Sequence, residues 1–147
     1  MTGTTQTTDP APDRVGRTHR FRRLTGTGLI AALVAVVATT VAAALARTAG
    51  VDFAIPDGGE TIPLSGFAVV TCFFSLVGVL IAAALLRWSI RPARRFLWTA
   101  VTLTAISLVP PFLAGAALAT AVTLAGLHLV AAAVMIPALT RTLRSPS

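Results

Sequence analysis

The sequence has no lysine, no tyrosine and one cysteine, and only 12% of its 147 residues are charged. A soluble domain of this size carries roughly twice that charged fraction, so the composition excludes an ordinary soluble domain. Because Cys72 stands alone, the chain has no intramolecular disulfide, CxxC redox pair or thiolate metal cluster. Thiol oxidoreductases are therefore excluded as a function class.

The residues that are present describe a membrane protein. Apolar residues make up 55% of the chain and the mean hydropathy is +0.83. Twelve arginines against five acids give a net charge of +7, but these arginines lie between long apolar runs. They do not form the continuous basic surface that binds nucleic acid. The sequence therefore predicts an integral membrane protein whose partner is the lipid bilayer, with no nucleic-acid partner.

Four stretches are long and apolar enough to cross a bilayer, which takes about 20 residues in a helix. They predict an all-α fold: an integral membrane four-helix bundle with up-down-up-down connections, occupying residues 24–140. The spans are residues 24–46, 64–86, 97–118 and 120–139. We expect residues 1–23 to form a disordered basic cytoplasmic tail and residues 141–147 a second cytoplasmic tail.

Arginine placement predicts the orientation, because short cytoplasmic connections carry the excess of basic residues. Eleven arginines fall on one side of a four-span topology, in the N-terminal segment, the second connection and the C-terminus. The other side has Arg47 together with Asp52, Asp57 and Glu60. Both termini are therefore expected in the cytoplasm.

Two local alternatives concern the first half of the chain. An Arg-rich start followed by an apolar run ending in small residues also fits a signal peptide, but signal h-regions span about 7 to 15 residues and this run is longer. A retained first span is favoured. The connection at 47–63 has a turn signal at Asp57-Gly58-Gly59, while Pro56 and Pro63 weaken any strand. A small hairpin on the bundle and a plain linker both stay open.

Small residues recur at helical spacing in three spans and predict the faces that pack together. Bulky residues of the first span, such as Leu29 and Leu33, point elsewhere. The small stripes are Gly28, Ala32, Ala35, Thr39, Ala42 and Ala46 in the first span, Thr71, Ser75, Gly78 and Ala82 in the second, and Ala121, Ala125, His128 and Ala132 in the fourth.

A polar layer is predicted near the middle of the membrane. At 1.5 Å per residue, His128 lies about 16 Å from the cytoplasmic end of its span. The same count along the other helices reaches Ser75 and Ser107. These three residues are the candidate functional site; no catalytic, cofactor-binding or metal-binding residues are predicted.

Pro110 and Pro111 predict a helix kink in the third span, because proline lacks a backbone N–H. The carbonyls that lose their usual donors belong to Ile106 and Ser107, in the layer computed for His128. One hypothesis is that His128 donates a ring N–H to one of these carbonyls and pins the last hairpin. The other is that His128 is a proton or ligand site, although the spans contain no carboxylate partner.

The basic N-terminal segment also has two interpretations. It could contact anionic lipid, since each arginine near the surface contributes about 1 kcal/mol, or it could act as a topology signal alone. Its arginines are Arg14, Arg17, Arg20, Arg22 and Arg23.

Four segments together resemble a family of small actinobacterial four-span membrane proteins classed as a domain of unknown function. They are Gly50-Val-Asp, the start of the second span from Ile62 to Thr71, Leu103 to Pro111, and Leu127 to Leu139. The resemblance covers residues 24–144. It implies a multi-pass protein of a bacterial plasma membrane and transfers no catalytic residue.

The functional expectation is an uncharacterised, non-enzymatic membrane protein that acts through helix–helix contacts, as a homo-oligomer or as an accessory subunit of an envelope complex. The alternative is a small transporter or channel that uses the layer around His128. An enzyme ranks third, because no nucleophile–base pair converges at either interface.

Overall fold

The computed structural model describes residues 12–54, 61–113, 115 and 117–144. Within them the chain forms five helices: α1 (Pro12–Thr48), α2 (Leu64–Trp88), α3 (Pro92–Ser107), α4 (Pro110–Leu113) and α5 (Leu118–Arg144). Four segments are long and apolar enough to cross a membrane, with α3 and α4 together making the third. The predicted all-α, four-span membrane architecture is confirmed.

Helix α1 is the centre of the bundle and packs along both α2 and α5. Most of its predicted small face is buried, including Ala32, Ala35 and Thr39, whereas Leu33 and Leu45 are exposed. Near the end of α1, Ala43 is buried, while the predicted Ala42 and Ala46 are half-buried. Helix α3 packs against α5 and, less extensively, α2, and α4 packs against α5. Small residues on α1 let two neighbouring backbones approach closely, which is how helices associate in lipid.

The face that α5 buries differs from the prediction. Ala121 is buried, but Ala125, His128 and Ala132 are only half-buried. The larger side chains of Leu127, Met135 and Leu139 fill the interior instead, and a Cβ on Gly28 would lie 3.4 Å from Leu139 Cδ2. The reason is complementarity: because α1 contributes the small residues, its partner must contribute large ones to fill the space.

One core cluster lies at the end of the bundle that we call the arginine-rich end, which holds the start of α1, the α2–α3 connection and the end of α5. Leu24, Phe96 and Leu143 meet there from three helices. Val79, Ala82 and Leu139 extend the cluster toward the middle of the bundle. The three arginine-bearing segments therefore lie at one end, as the up-down-up-down prediction requires.

A second core cluster lies at the opposite end, which we call the loop end. Phe53, from the connection between α1 and α2, is fully buried there with Ala43 and Leu127. Ala54 and Thr61 form an antiparallel bridge, and the Ile62 amide donates to the Phe53 carbonyl at 3.1 Å. This pairing favours the hairpin over the plain linker; the turn residues 57–59 lie outside the described residues.

Helix boundaries differ from the sequence prediction at both tails. Residues 12–23, predicted to be disordered, continue α1, and residues 141–144 continue α5. Arginine is a good helix former, so a helix already started in the membrane extends readily through these basic segments. Residues 1–11 and 145–147 lie outside the described residues.

Candidate functional site

The three residues of the predicted polar layer are positioned separately. Ser75 is buried in α2, Ser107 is the half-buried last residue of α3, and His128 is half-buried in α5. The Ser107 hydroxyl donates to the Thr104 carbonyl of its own helix at 2.8 Å. No hydrogen bond in the described part of the chain joins any two of the three residues. Their joint use as one site stays a prediction.

Contacts between α2 and α5 give the level of His128 in the bundle. A Cβ on Gly78 would lie 4.0 Å from Met135 Cε, so these two residues are at similar depth. Seven residues back along each helix are Thr71 and His128. Since both helices run in the same direction, His128 lies closer to the depth of Thr71 than to that of Ser75. Because the helices begin at different depths, counting residues from their ends gives only an approximate depth.

A threonine pair supplies the hydrogen bond at this level. The Oγ1 atoms of Thr39 in α1 and Thr71 in α2 lie 3.1 Å apart and share a hydrogen bond. Thr39 Oγ1 is also 2.8 Å from the Ala35 carbonyl. With one proton on each hydroxyl, both contacts are satisfied when Thr39 donates to Ala35 and Thr71 donates to Thr39. The sequence offered a signal for this contact, because both threonines belong to the small stripes.

The third span breaks where the double proline predicts. Helix α3 ends at Ser107, Leu108 and Val109 form a turn, and Pro110 begins α4, where proline is well tolerated. The Val109 amide donates to the Ile106 carbonyl at 3.2 Å. The Ser107 carbonyl has Pro110 and Pro111 at the two positions that normally donate to it.

The hydrogen bond predicted from His128 to this turn is not formed. Neither the Ile106 nor the Ser107 carbonyl accepts from the His128 ring in the described structure. The turn supplies a different donor to one of these two carbonyls. The Val109 amide donates to the Ile106 carbonyl, which would otherwise lack a donor. The specific pin was therefore wrong, and the second hypothesis, a proton or ligand site, keeps His128 as its candidate.

The loop end is closed by contacts that the sequence analysis did not identify. The Phe53 ring packs edge-on against Phe67 of α2, with centroids 5.0 Å apart. The Arg47 guanidinium lies over the Phe53 ring, 5.9 Å from its centroid, and donates to the Ile62 carbonyl. Thr120 Oγ1 of α5 donates to the Asp52 carbonyl at 2.6 Å. The connection is thus tied to three helices.

An open pocket lies at the arginine-rich end, beside the α2–α3 connection. In the sequence, its arginines indicate only the orientation of the chain in the membrane. Its lining residues are three arginines together with a leucine, a tryptophan and a threonine: Leu85, Arg91, Arg94, Arg95, Trp98 and Thr99. Guanidinium groups present several N–H donors in a plane, which suits phosphate and carboxylate oxygens.

Comparison with protein families matches residues 19–145 to DUF6069, a family of unknown function. The chain belongs to the DUF6069 family. The match covers all four spans, so the predicted membership of a family of unknown function is confirmed. Comparisons with curated proteins and with solved structures find no significant match.

The Phe53 closure, the helix break and the arginine-lined pocket all fall within the part of the chain that matches DUF6069. Within the described residues, no group of three or more His, Cys, Asp or Glu side chains could hold a metal ion. Cys72 is a free, exposed cysteine on α2. The chain is a multi-pass membrane protein.

Proposed function

We propose that this DUF6069 member is a non-enzymatic membrane protein that acts by associating with other membrane helices, as a homo-oligomer or as an accessory subunit of an envelope complex. The observation that carries the proposal is the interrupted third span. Its break lies on the outside of the bundle, where Ile106 is 61% and Val109 is 51% exposed.

Backbone without hydrogen-bond partners is costly in hydrocarbon, since each unsatisfied group costs several kcal/mol. Irregular backbone at membrane depth is tolerated when protein or a water-filled cavity covers it. The Ser107 carbonyl lacks both helical donors, and its neighbours face outward. A helix from a second polypeptide, packed over α3 and α4, would cover the break.

We further propose that the arginine-rich end faces the cytoplasm of a bacterial cell and that the protein resides in the plasma membrane. The distribution of arginine supports this orientation, because eleven of twelve fall in the segments that meet at that end. Basic usage restricted to arginine, together with abundant alanine, is consistent with a high-GC genome such as those of actinobacteria.

Mass and cross-linking together test the association. A native mass spectrum of the protein, extracted from its own membrane in mild detergent, should show a complex heavier than the monomer. In a Cys72→Ser background, Val109→Cys should then cross-link within that complex. Val37→Cys is the matched control and should not cross-link. Val37 is a valine of similar exposure, 54%, at an exposed position of α1 away from the break.

The outcomes separate the two forms of the proposal. Cross-linking of Val109→Cys to a second copy indicates a homo-oligomer, and cross-linking to another polypeptide indicates an accessory subunit. A monomer in mild detergent, with no cross-link at Val109 in intact membranes, would contradict both.

The alternative function is a small transporter or channel that uses His128, Ser107 and Ser75. One observation favours it: the His128 ring makes no hydrogen bond in the described structure, although it is half-buried inside a span. Ionisable residues within membranes are often functional. Reconstituted protein should then lose ion flux on His128→Ala while its assembly survives. If the wild-type protein shows no flux and the His128→Ala variant loses its assembly, the association function is favoured instead.

A further inference from the structure

The arginine-lined pocket is bordered by three of the four arginines that lie between the second and third spans. Arg91, Arg94 and Arg95 line one open concavity with Leu85 and Trp98. Arg87, on the same connection, lies over the Trp88 ring instead, 6.0 Å from its centroid, and does not line the pocket. The orientation rule asks only that arginines lie on one side of the membrane. It does not require three of them around one cavity.

The pocket also lies at the start of α3, a helix of 16 residues whose N-terminus has no counter-charge. Arg91 makes no side-chain cap, Pro92 has no N–H, and the first turn contains no acid. The amides of Ala93 and Arg94 are among the helix's first donors, which lack helical acceptors. The start of α3 therefore brings no negative charge to the three arginines.

No carboxylate among the described side chains neutralises these arginines. Asp52, the acid whose side chain is described, lies on the connection at the loop end, at the opposite end of the bundle. The arginine side chains are exposed and able to reach a ligand from outside.

We propose that this pocket binds the phosphate group of an anionic phospholipid. Guanidinium groups form paired hydrogen bonds with phosphate oxygens. The rest of the wall indicates a lipid as the source of the phosphate. Trp98 is of the residue type that sits at headgroup level, and Leu85 offers an apolar surface to the glycerol and upper acyl region.

The proposal is independent of the association proposed above, since it concerns the arginine-rich end and not the break in the third span. It is also distinct from diffuse attraction to the arginines of the N-terminal segment. Diffuse attraction would respond to the loss of any positive charge on this side. A pocket responds to the loss of the arginines that line it.

Titration of the full-length protein in mild detergent with phosphatidylglycerol, followed by native mass spectrometry, tests the site. Arg94→Gln and Arg95→Gln should each weaken binding of the tightest lipid about fivefold. Arg87→Gln removes the same charge from the same connection and should leave binding unchanged. All three side chains are exposed, so none of the substitutions disturbs the core.

Two further arms identify the ligand. Phosphatidylcholine, which has a phosphate but no net charge, should bind more weakly than phosphatidylglycerol to the wild type and respond less to Arg94→Gln. Inorganic phosphate alone should not displace bound phosphatidylglycerol at equal concentration. Equal weakening by Arg87→Gln would overturn the pocket in favour of diffuse attraction. Displacement by inorganic phosphate would overturn the lipid as the source.

Discussion

A methyl group placed on Gly28 of α1 would lie 2.7 Å from Cγ2 of Val79 in α2. Carbon atoms in favourable contact are about 3.5 to 4.0 Å apart, so one of the two helices would have to move. Val79 cannot easily turn away, because a valine in a helix has one strongly preferred rotamer. Glycine at position 28 therefore sets how closely α1 and α2 approach.

Gly28→Ala should lower the free energy of unfolding by about 1 to 3 kcal/mol, the usual cost of adding a methyl group to a filled interior. Unfolding in mixed detergent micelles measures this change. Gly26→Ala is the matched control on the same helix, because a Cβ there meets nothing within 4 Å. The control should be neutral or slightly stabilising, since alanine favours a helix more than glycine does. Equal effects at both positions would contradict the close approach.

Two buried threonines should respond in opposite ways to loss of the hydroxyl. Thr140 Oγ1 is buried and has no hydrogen-bond partner among the described residues, whereas the Thr39 hydroxyl is bonded to Thr71. Thr140→Val removes an unsatisfied polar group and should stabilise the protein by about 1 kcal/mol. Thr39→Val leaves Thr71 without its partner and should destabilise it by a similar amount. Thermal unfolding of both variants in the same detergent compares their stabilities. A loss of stability in Thr140→Val as large as that in Thr39→Val would contradict this interpretation.

Removal of the Phe53 ring should weaken the loop end. The side chain is fully buried, so Phe53→Ala should cost about 3 kcal/mol of unfolding free energy. Phe73→Ala is the same truncation at a ring that is 61% exposed on α2, and it should cost much less. Hydrogen exchange should also increase at Ile62, whose amide donates to the Phe53 carbonyl. Unchanged exchange at Ile62 would show that the hairpin does not depend on the ring.

The orientation in the cell is tested by labelling with a membrane-impermeant maleimide. In a Cys72→Ser background, Asp52→Cys at the loop end should be labelled in intact cells and Ile90→Cys at the arginine-rich end should not. Both positions are exposed, and Ile90 is 97% accessible. Lysed cells should label both. The reverse pattern in intact cells would place the arginine-rich end outside.

The helical extension at the start of the chain shows where composition misleads. A polar, basic segment cannot bury apolar surface, so composition predicts disorder. Residues 12–23 are nevertheless helical because they continue a helix that has already formed in the span. Extending a helix adds one hydrogen bond for each residue fixed, and the cost of nucleation has already been met. A prediction made from each segment by itself leaves out this gain from extending an existing helix.

The sequence by itself determined the four spans, the small face of α1 and the position of the helix break. Each depends on a local property: hydrophobic length, the spacing of Gly, Ala and Thr, or the missing N–H of Pro110 and Pro111. Such properties hold in any arrangement of the helices, because lipid obliges each span to satisfy its own backbone.

Only the tertiary structure decided which groups meet. It placed Phe53 beneath Arg47, paired Thr39 with Thr71, gave α5 a face of large residues and gathered Arg91, Arg94 and Arg95 around one pocket. These contacts depend on the relative depth and rotation of the helices. Close packing between distant parts of the chain fixes both quantities. A local pattern such as the small stripes offers candidate residues but does not pair them.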